Sequence, residues 1–228
     1  MSKMVVYVHP KLQKEIPVLF VVAGNLAIKR KHLALERLIK SEVPGILNTD
    51  ADRRHILNSF DLLHDRFGDQ EPSPAAPQHL YNFLTERKRL MQINALVDAY
   101  NLVSLKYALA LGAHDLSHVD GRITFNLTTG NELFVPLGAT VPEPVTPGEY
   151  AYMDEREILC RLDVKQCQKT KVTIETRDCI FIIQGNSATP LEYLHQAASE
   201  LIDLVTTYCN GSAHLADTQL LNEHLLRV

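Results

Sequence analysis

The sequence predicts an α+β domain, and three observations carry that reading. Segments with helical spacing of apolar residues crowd the first half of the chain. Short apolar strands come after Gly121. Two continuous apolar runs, at 17–23 and Cys179–Gln184, have the length and β-branched content of buried strands.

Taken in order, Met4–Val8 is a short strand, and 17–23 is a buried one ended by Gly24 and Asn25. Residues 29–42 carry Leu33, Leu35, Leu38 and Ile39 at helical spacing. Asp50–Phe67 is a second helix, apolar at Ile56, Leu57, Phe60, Leu63 and Phe67, with Asp50 as N-cap and Gly68 as stop. The proline-rich stretch 70–77 reads as a loop, because the pieces beside it are too small for separate cores. The whole chain, 1–228, is therefore expected to be one domain. Helices are expected next at 78–90 and 94–107. Strands are expected at 122–127, 132–135, Tyr150–Met153 and 158–162, with a hairpin-type turn at Gly130-Asn131 and a proline-rich loop at 142–148. Residues 190–208 form an amphipathic helix, with Pro190 in its first turn and Leu191, Leu194, Ala198, Leu201, Ile202 and Val205 inward. The tail, 210–228, is expected to end in a short helix at 218–226.

Composition narrows the function classes. The apolar share is 46%, ordinary for a globular protein. The longest apolar stretch, 18–23, is too short to span a bilayer, and nothing resembles a signal peptide. A soluble, cytoplasmic protein with no membrane partner is expected. Cys160, Cys167, Cys179 and Cys209 form no C-x-x-C pair, so reduced, buried thiols are expected, Cys167 among its lysines included. A net charge of −4 argues against a general nucleic-acid coat. Local basic clusters remain at 29–31, 53–54, 87–89 and 165–171, each readable alone as a solvated face.

The most informative segment is 93–105. Asn94, Asp98, Asn101 and Ser104 lie three or four residues apart, a polar stripe beside the apolar face of a helix. Buried polar groups cost energy unless paired, so the stripe either braces neighbouring loops or lines a pocket. No Walker loop, G-x-S-x-G or H-E-x-x-H occurs. His114 and His118 have a metal-like spacing, but Gly112 and Gly121 suggest a turn there and no third ligand is placed. No metal and no cofactor are expected.

The same segment carries a resemblance. Residues 94–104, with Asn94, Leu96-Val97-Asp98, Tyr100-Asn101-Leu102 and Ser104, resemble the B3/B4 editing domain of the phenylalanyl-tRNA synthetase beta subunit. The segment is closer still to the free-standing form of that domain. Landmarks at 111–116, 150–154, 158–161 and 170–177 come in family order. The resemblance implies a three-layer β/β/α arrangement with a pocket between sheet and helices. It implies binding of aminoacyl-tRNA and hydrolysis of the ester of a mischarged one. A non-catalytic module binding tRNA or an amino-acid-like ligand is the alternative, and the oligomeric state is open. The implied catalytic positions are His114 and Gln168. Gly112 stands where the synthetase has a histidine, and Gln168 where it has a glutamate. Substrate contacts fall on Gly112, Ala113, Asp154, Cys160, Thr170 and Thr173, with residues 166–170 and 173–177 as the opposite wall. Arg161, Lys169 and Lys171 are the expected tRNA contacts. Asn94, Asp98, Asn101 and Ser104 brace the pocket.

Overall fold

A strand covered on both faces belongs in a middle layer, and the run Cys179–Gln184 is buried at every position. Its Ile180 and Ile182 enter one apolar core, and Cys179, Phe181 and Ile183 enter another. The computed structural model describes residues 4–48, 50–68 and 73–221. The elements are β1 (Met4–Val8), α1 (Pro10–Gln13), β2 (Val18–Gly24), α2 (Leu33–Asn48), α3 (Asp50–Phe67), α4 (Ala76–Arg87), α5 (Ala95–Tyr107), β3 (Ala110–Asp115), β4 (Ile123–Leu127), β5 (Tyr150–Met153), β6 (Ile158–Arg161), β7 (Lys165–Gln166), β8 (Cys179–Gln184), α6 (Leu191–Cys209), β9 (Ser212–Leu215) and β10 (Thr218–Leu221).

The middle layer is an antiparallel sheet in the order β3-β8-β2-β9. One outer layer is a mixed sheet, β10-β1-β4-β5-β6-β7, in which β1 runs parallel to both neighbours. The other outer layer is helical, with α2, α4, α5 and α6 sharing a core with the middle sheet. The fold is therefore α+β, layered β/β/α. Period-two alternation sorts the side chains of β3 between the two cores. Leu111 and Ala113 face the helices, whereas Ala110 lies in the inter-sheet core, the side that Gly112 and His114 share. From α3, Phe60, Leu63 and Phe67 also enter the inter-sheet core.

Several expectations need correction. Residues 132–135 form no strand. Pro136, which has no N–H to give a ladder, makes an isolated bridge to Cys167, and Gly130 turns at φ +92° without joining two strands. The Glu132 carboxylate instead holds the loop, accepting from the Thr129 and Gly130 N–H groups at 2.7 and 2.9 Å. The short helix expected at 218–226 is contradicted by β10, which pairs with β1; residues 222–226 lie outside the described residues. Gly112 is not in a turn but in the middle of β3, and the turn begins only at Asp115. The helix expected at 29–42 runs Leu33–Asn48, through Pro44 on its exposed side. Leu191, expected inward, is exposed at the start of α6, as is Leu33 at the start of α2. Part of the 70–77 loop is undescribed; α4 begins at Ala76, with Pro77 in its first turn, where the missing N–H is harmless.

Candidate functional site

The site begins with the buried helix α5. Asn94 caps it, its Oδ1 accepting from Leu96 N–H at 3.1 Å and Val97 N–H at 3.0 Å. Asp98 Oδ1 accepts from Ile93 N–H at 2.8 Å. Burial pushes the Asp98 carboxyl up to about 6, and the nearby Glu36 adds to this. At the other end, Ala108 takes φ +50° and the Ser104 hydroxyl donates to the Leu109 carbonyl at 2.7 Å, fixing the turn into β3. Three of the four stripe residues therefore fasten the helix ends. The fourth, Asn101, lines an open cleft.

That cleft has a volume of about 500 Å³. Its walls come from α4 (Ala76, His79, Leu80), α5 (Tyr100, Asn101), β3 (Leu111), the loop Pro136, Leu137 and Glu143, the β6–β7 turn (Asp163, Val164) and β7 (Lys165, Gln166). Gly112 lies just beneath. A Cβ there would stand 2.7 Å from Gln166 Nε2 and 3.0 Å from Tyr152 Oη, so only glycine lets the Gln166 amide lie over the strand. The turn that presents Asp163 is strained, with Leu162 at φ +50° and Asp163 at φ +58°. Bonds from three elements hold it. Asp163 Oδ1 accepts from the Ala76 N–H at 2.9 Å, at the start of α4, and Oδ2 meets His64 Nε2 at 2.9 Å and the buried Tyr150 hydroxyl. Asp163 raises the His64 pKa against the opposing effect of burial.

His114 sits two residues from Gly112, in a different environment. It is 1% exposed. Nδ1 lies 2.6 Å from Thr170 Oγ1, and Nε2 lies 3.1 Å from Tyr152 Oη. Thr170 Oγ1 lies 3.0 Å from Cys167 Sγ. Burial holds the imidazole pKa down to about 4, so the ring is neutral at pH 7. Among the described residues, no three His, Cys, Asp or Glu groups are placed to hold a metal ion. His118 is exposed, apart from His114.

The other expected contacts scatter. Gln168 lies outside the cleft lining, and its Oε1 accepts from the Gly138 N–H at 2.8 Å. Ala113 packs against the helices, and Cys160 is sealed between the sheets. Arg161 is buried and clamps the Glu149 carboxylate with two bonds of 2.7 Å, over the Phe134 ring. Such an arginine is not offered to a tRNA phosphate. Lys169 pairs with Asp154 at 2.7 Å and Asp120 at 3.0 Å, and Asp154 also accepts from the Arg156 and Glu157 N–H groups of its own turn and from the Asp120 N–H. Thr173 closes a turn by accepting from the Glu175 N–H. Lys171 is exposed. Of the expected site residues, only Asn101 lines the cleft, with Gly112 beneath it. The α4 face, Tyr100, the Pro136–Glu143 loop and Asp163 are absent from the sequence-based expectation, and Gln166 enters it only within a wall range. Apart from Tyr100, which lies in the 94–104 pattern, no motif marks these residues; their common feature is position around Leu111 of β3.

With the cleft and its walls placed, similarity to known proteins bears on the family. The sequence pattern of the family described as the B3/4 domain matches residues 69–210, which include α4, α5, β3 and the whole cleft lining. The beta subunit of phenylalanine–tRNA ligase from Mycoplasma genitalium is 31% identical over 98 residues, 42% of this chain and 12% of that protein. An N-terminal fragment of the phenylalanyl-tRNA synthetase beta subunit from Pyrococcus horikoshii superposes with a TM-score of 0.53 at 14% identity, over 96% of this chain and 51% of that one. The chain thus spans an eighth of one relative and half of the other, and the second likeness is one of fold. No helix among the described residues is long and apolar enough to cross a membrane.

Proposed function

The chain belongs to the B3/4 domain family, and from that premise we propose that it binds the aminoacyl end of a tRNA in the cleft and hydrolyses the ester of a mischarged one. The observation that carries this reading is the mixed chemistry of the cleft wall. An aminoacyl ester presents an ammonium, an amino-acid side chain and a phosphate-bearing nucleoside. The cleft offers Glu143 for the ammonium, Leu80, Leu111 and Pro136 for the side chain, and the exposed Lys165 for phosphate. Asn101 and Gln166 supply amides that can donate to the ester oxygen as charge develops on it, or select a substrate hydroxyl. Water attack on an ester needs chiefly orientation and such donors.

A binding module without catalysis is the second reading. It is supported by the cleft floor, where Gly112 and Gln166 bring no titratable group. The experiment is incubation of purified protein with a panel of correctly and wrongly charged tRNAs. Selective release from a mischarged member is expected. Retention of tRNA with no release from any member contradicts hydrolysis and leaves the binding module.

A further inference from the structure

Between α2 and the turn after α4 lies a second groove, of about 580 Å³. Its floor is apolar, with Ile39, Val43 and Leu90, and its rim carries Lys40, Lys88 and Arg89 against one carboxylate, Glu36. Basic residues far apart in sequence converge here. Lys40 comes from α2, and Lys88 and Arg89 come directly after α4. The Lys29 carbonyl accepts the Ala95 N–H at 2.9 Å, which brings the exposed run Lys29-Arg30-Lys31 to the start of α5, just past the segment that closes the groove. Cations after a helix C-terminus also offset its dipole. That accounts for Lys88 and Arg89, but not for Lys40 or the 29–31 run. A chain of net charge −4 has thus gathered cations on one side of its helical layer.

Helix α4 joins this groove to the cleft. Its first turn lines the cleft, and the residues after its last turn line the groove. A helix of 12 residues is about 18 Å long at ~1.5 Å per residue. A stacked strand covers that distance in about five nucleotides at ~3.4 Å each. The geometry points to this cationic rim as the docking surface for the phosphate backbone of an RNA whose aminoacyl end occupies the cleft. The inference rests on the reading of the cleft as an aminoacyl-tRNA site. The strand leaving the cleft tracks along α4 and meets Lys88, Arg89 and Lys40 several nucleotides from its end. Contacts to phosphates position the RNA without reading its sequence.

The test is the salt dependence of tRNA binding to the full chain and to the triple variant Lys40→Gln, Lys88→Asn, Arg89→Gln. Asparagine is chosen at 88 because that residue has φ +54°. Each neutralised phosphate contributes a slope of ~0.7–0.9 in log K against log salt. The triple variant is expected to bind uncharged tRNA at least tenfold more weakly, with a slope lowered by about two and an unchanged Tm. A charged 3′-terminal trinucleotide, too short to reach the groove, is expected to bind both proteins alike. Wild-type affinity and slope in the triple variant overturn the groove inference and leave the cleft reading standing. Unaltered tRNA binding with loss of binding to an acidic amphipathic peptide assigns the groove to a protein partner, and also overturns it. A wild-type protein that retains no tRNA at any salt overturns both readings.

Discussion

Gly112 and His114 share one face of β3 two residues apart, yet one underlies an open cleft and the other is locked between two sheets. Both ring nitrogens of His114 have partners at 2.6 and 3.1 Å. Asn101, by contrast, is 7% exposed and lines the cleft, with no hydrogen-bond partner among the described residues. Residue type alone is thus a poor guide to function. The histidine looks chemical but is sealed among buried partners, while the Asn101 and Gln166 amides line a cleft that a ligand can enter.

This contrast can be broken in order of effect size. His114→Ala removes a buried ring and takes one hydrogen-bond partner from each of Tyr152 and Thr170, so a stability loss of about 3–4 kcal/mol is expected in denaturant unfolding. A loss under about 1 kcal/mol would contradict the sealed-cluster account. Acid is the next lever. The His114 pKa is near 4 folded against 6.5 unfolded, so the unfolded state takes up the proton first. The stability due to the neutral ring is complete above pH 6.5 and is lost as pH falls towards 4, on the order of 3 kcal/mol. In His114→Gln that acid loss should shrink, and an identical pH profile would contradict the assignment.

Asn101→Ala reverses the pattern. Its Tm should stay close to wild type, while ligand binding or deacylation falls about tenfold or more, equivalent to ~1.4 kcal/mol. Asp98→Asn is the smallest change. The Asp98 carboxyl is held up to about 6, so the folded state takes up its proton first and gains stability as pH falls through 6. Above that, the charged group is a cost. Asparagine keeps the acceptor for Ile93 N–H and removes the charge, so stability at pH 8 should be equal or higher by up to about 1 kcal/mol. A large loss at pH 8 would show that the charge itself braces α5.

Much of the frame is legible in the sequence, for physical reasons visible in particular residues. The apolar runs in β2 and β8 are continuous because both faces are covered. The α5 stripe reads as bracing or pocket-lining, and it divides between the two: Asn94, Asp98 and Ser104 tie the helix ends, and Asn101 faces the cleft. The cleft itself is hidden from the sequence. It is assembled from α4, a loop and a strained two-residue turn at Leu162 and Asp163, whose juxtaposition depends on tertiary contacts such as the bond from the Ala76 N–H to Asp163. Arg161 misleads for a similar reason. Its buried partner Glu149 lies twelve residues away, across the β5–β6 hairpin. Tail residues 218–221 pair with β1, a contact that no local pattern announces.

We propose that the open cleft, and not the sealed histidine cluster, is the functional site. Its most direct test is the rate of amino-acid release from a mischarged tRNA panel by wild-type protein and by Asn101→Ala, with Tm measured on both. Selective release by the wild type is expected, lowered about tenfold or more in the variant at nearly unchanged Tm. Equal release by the two proteins, or none by either, would contradict it.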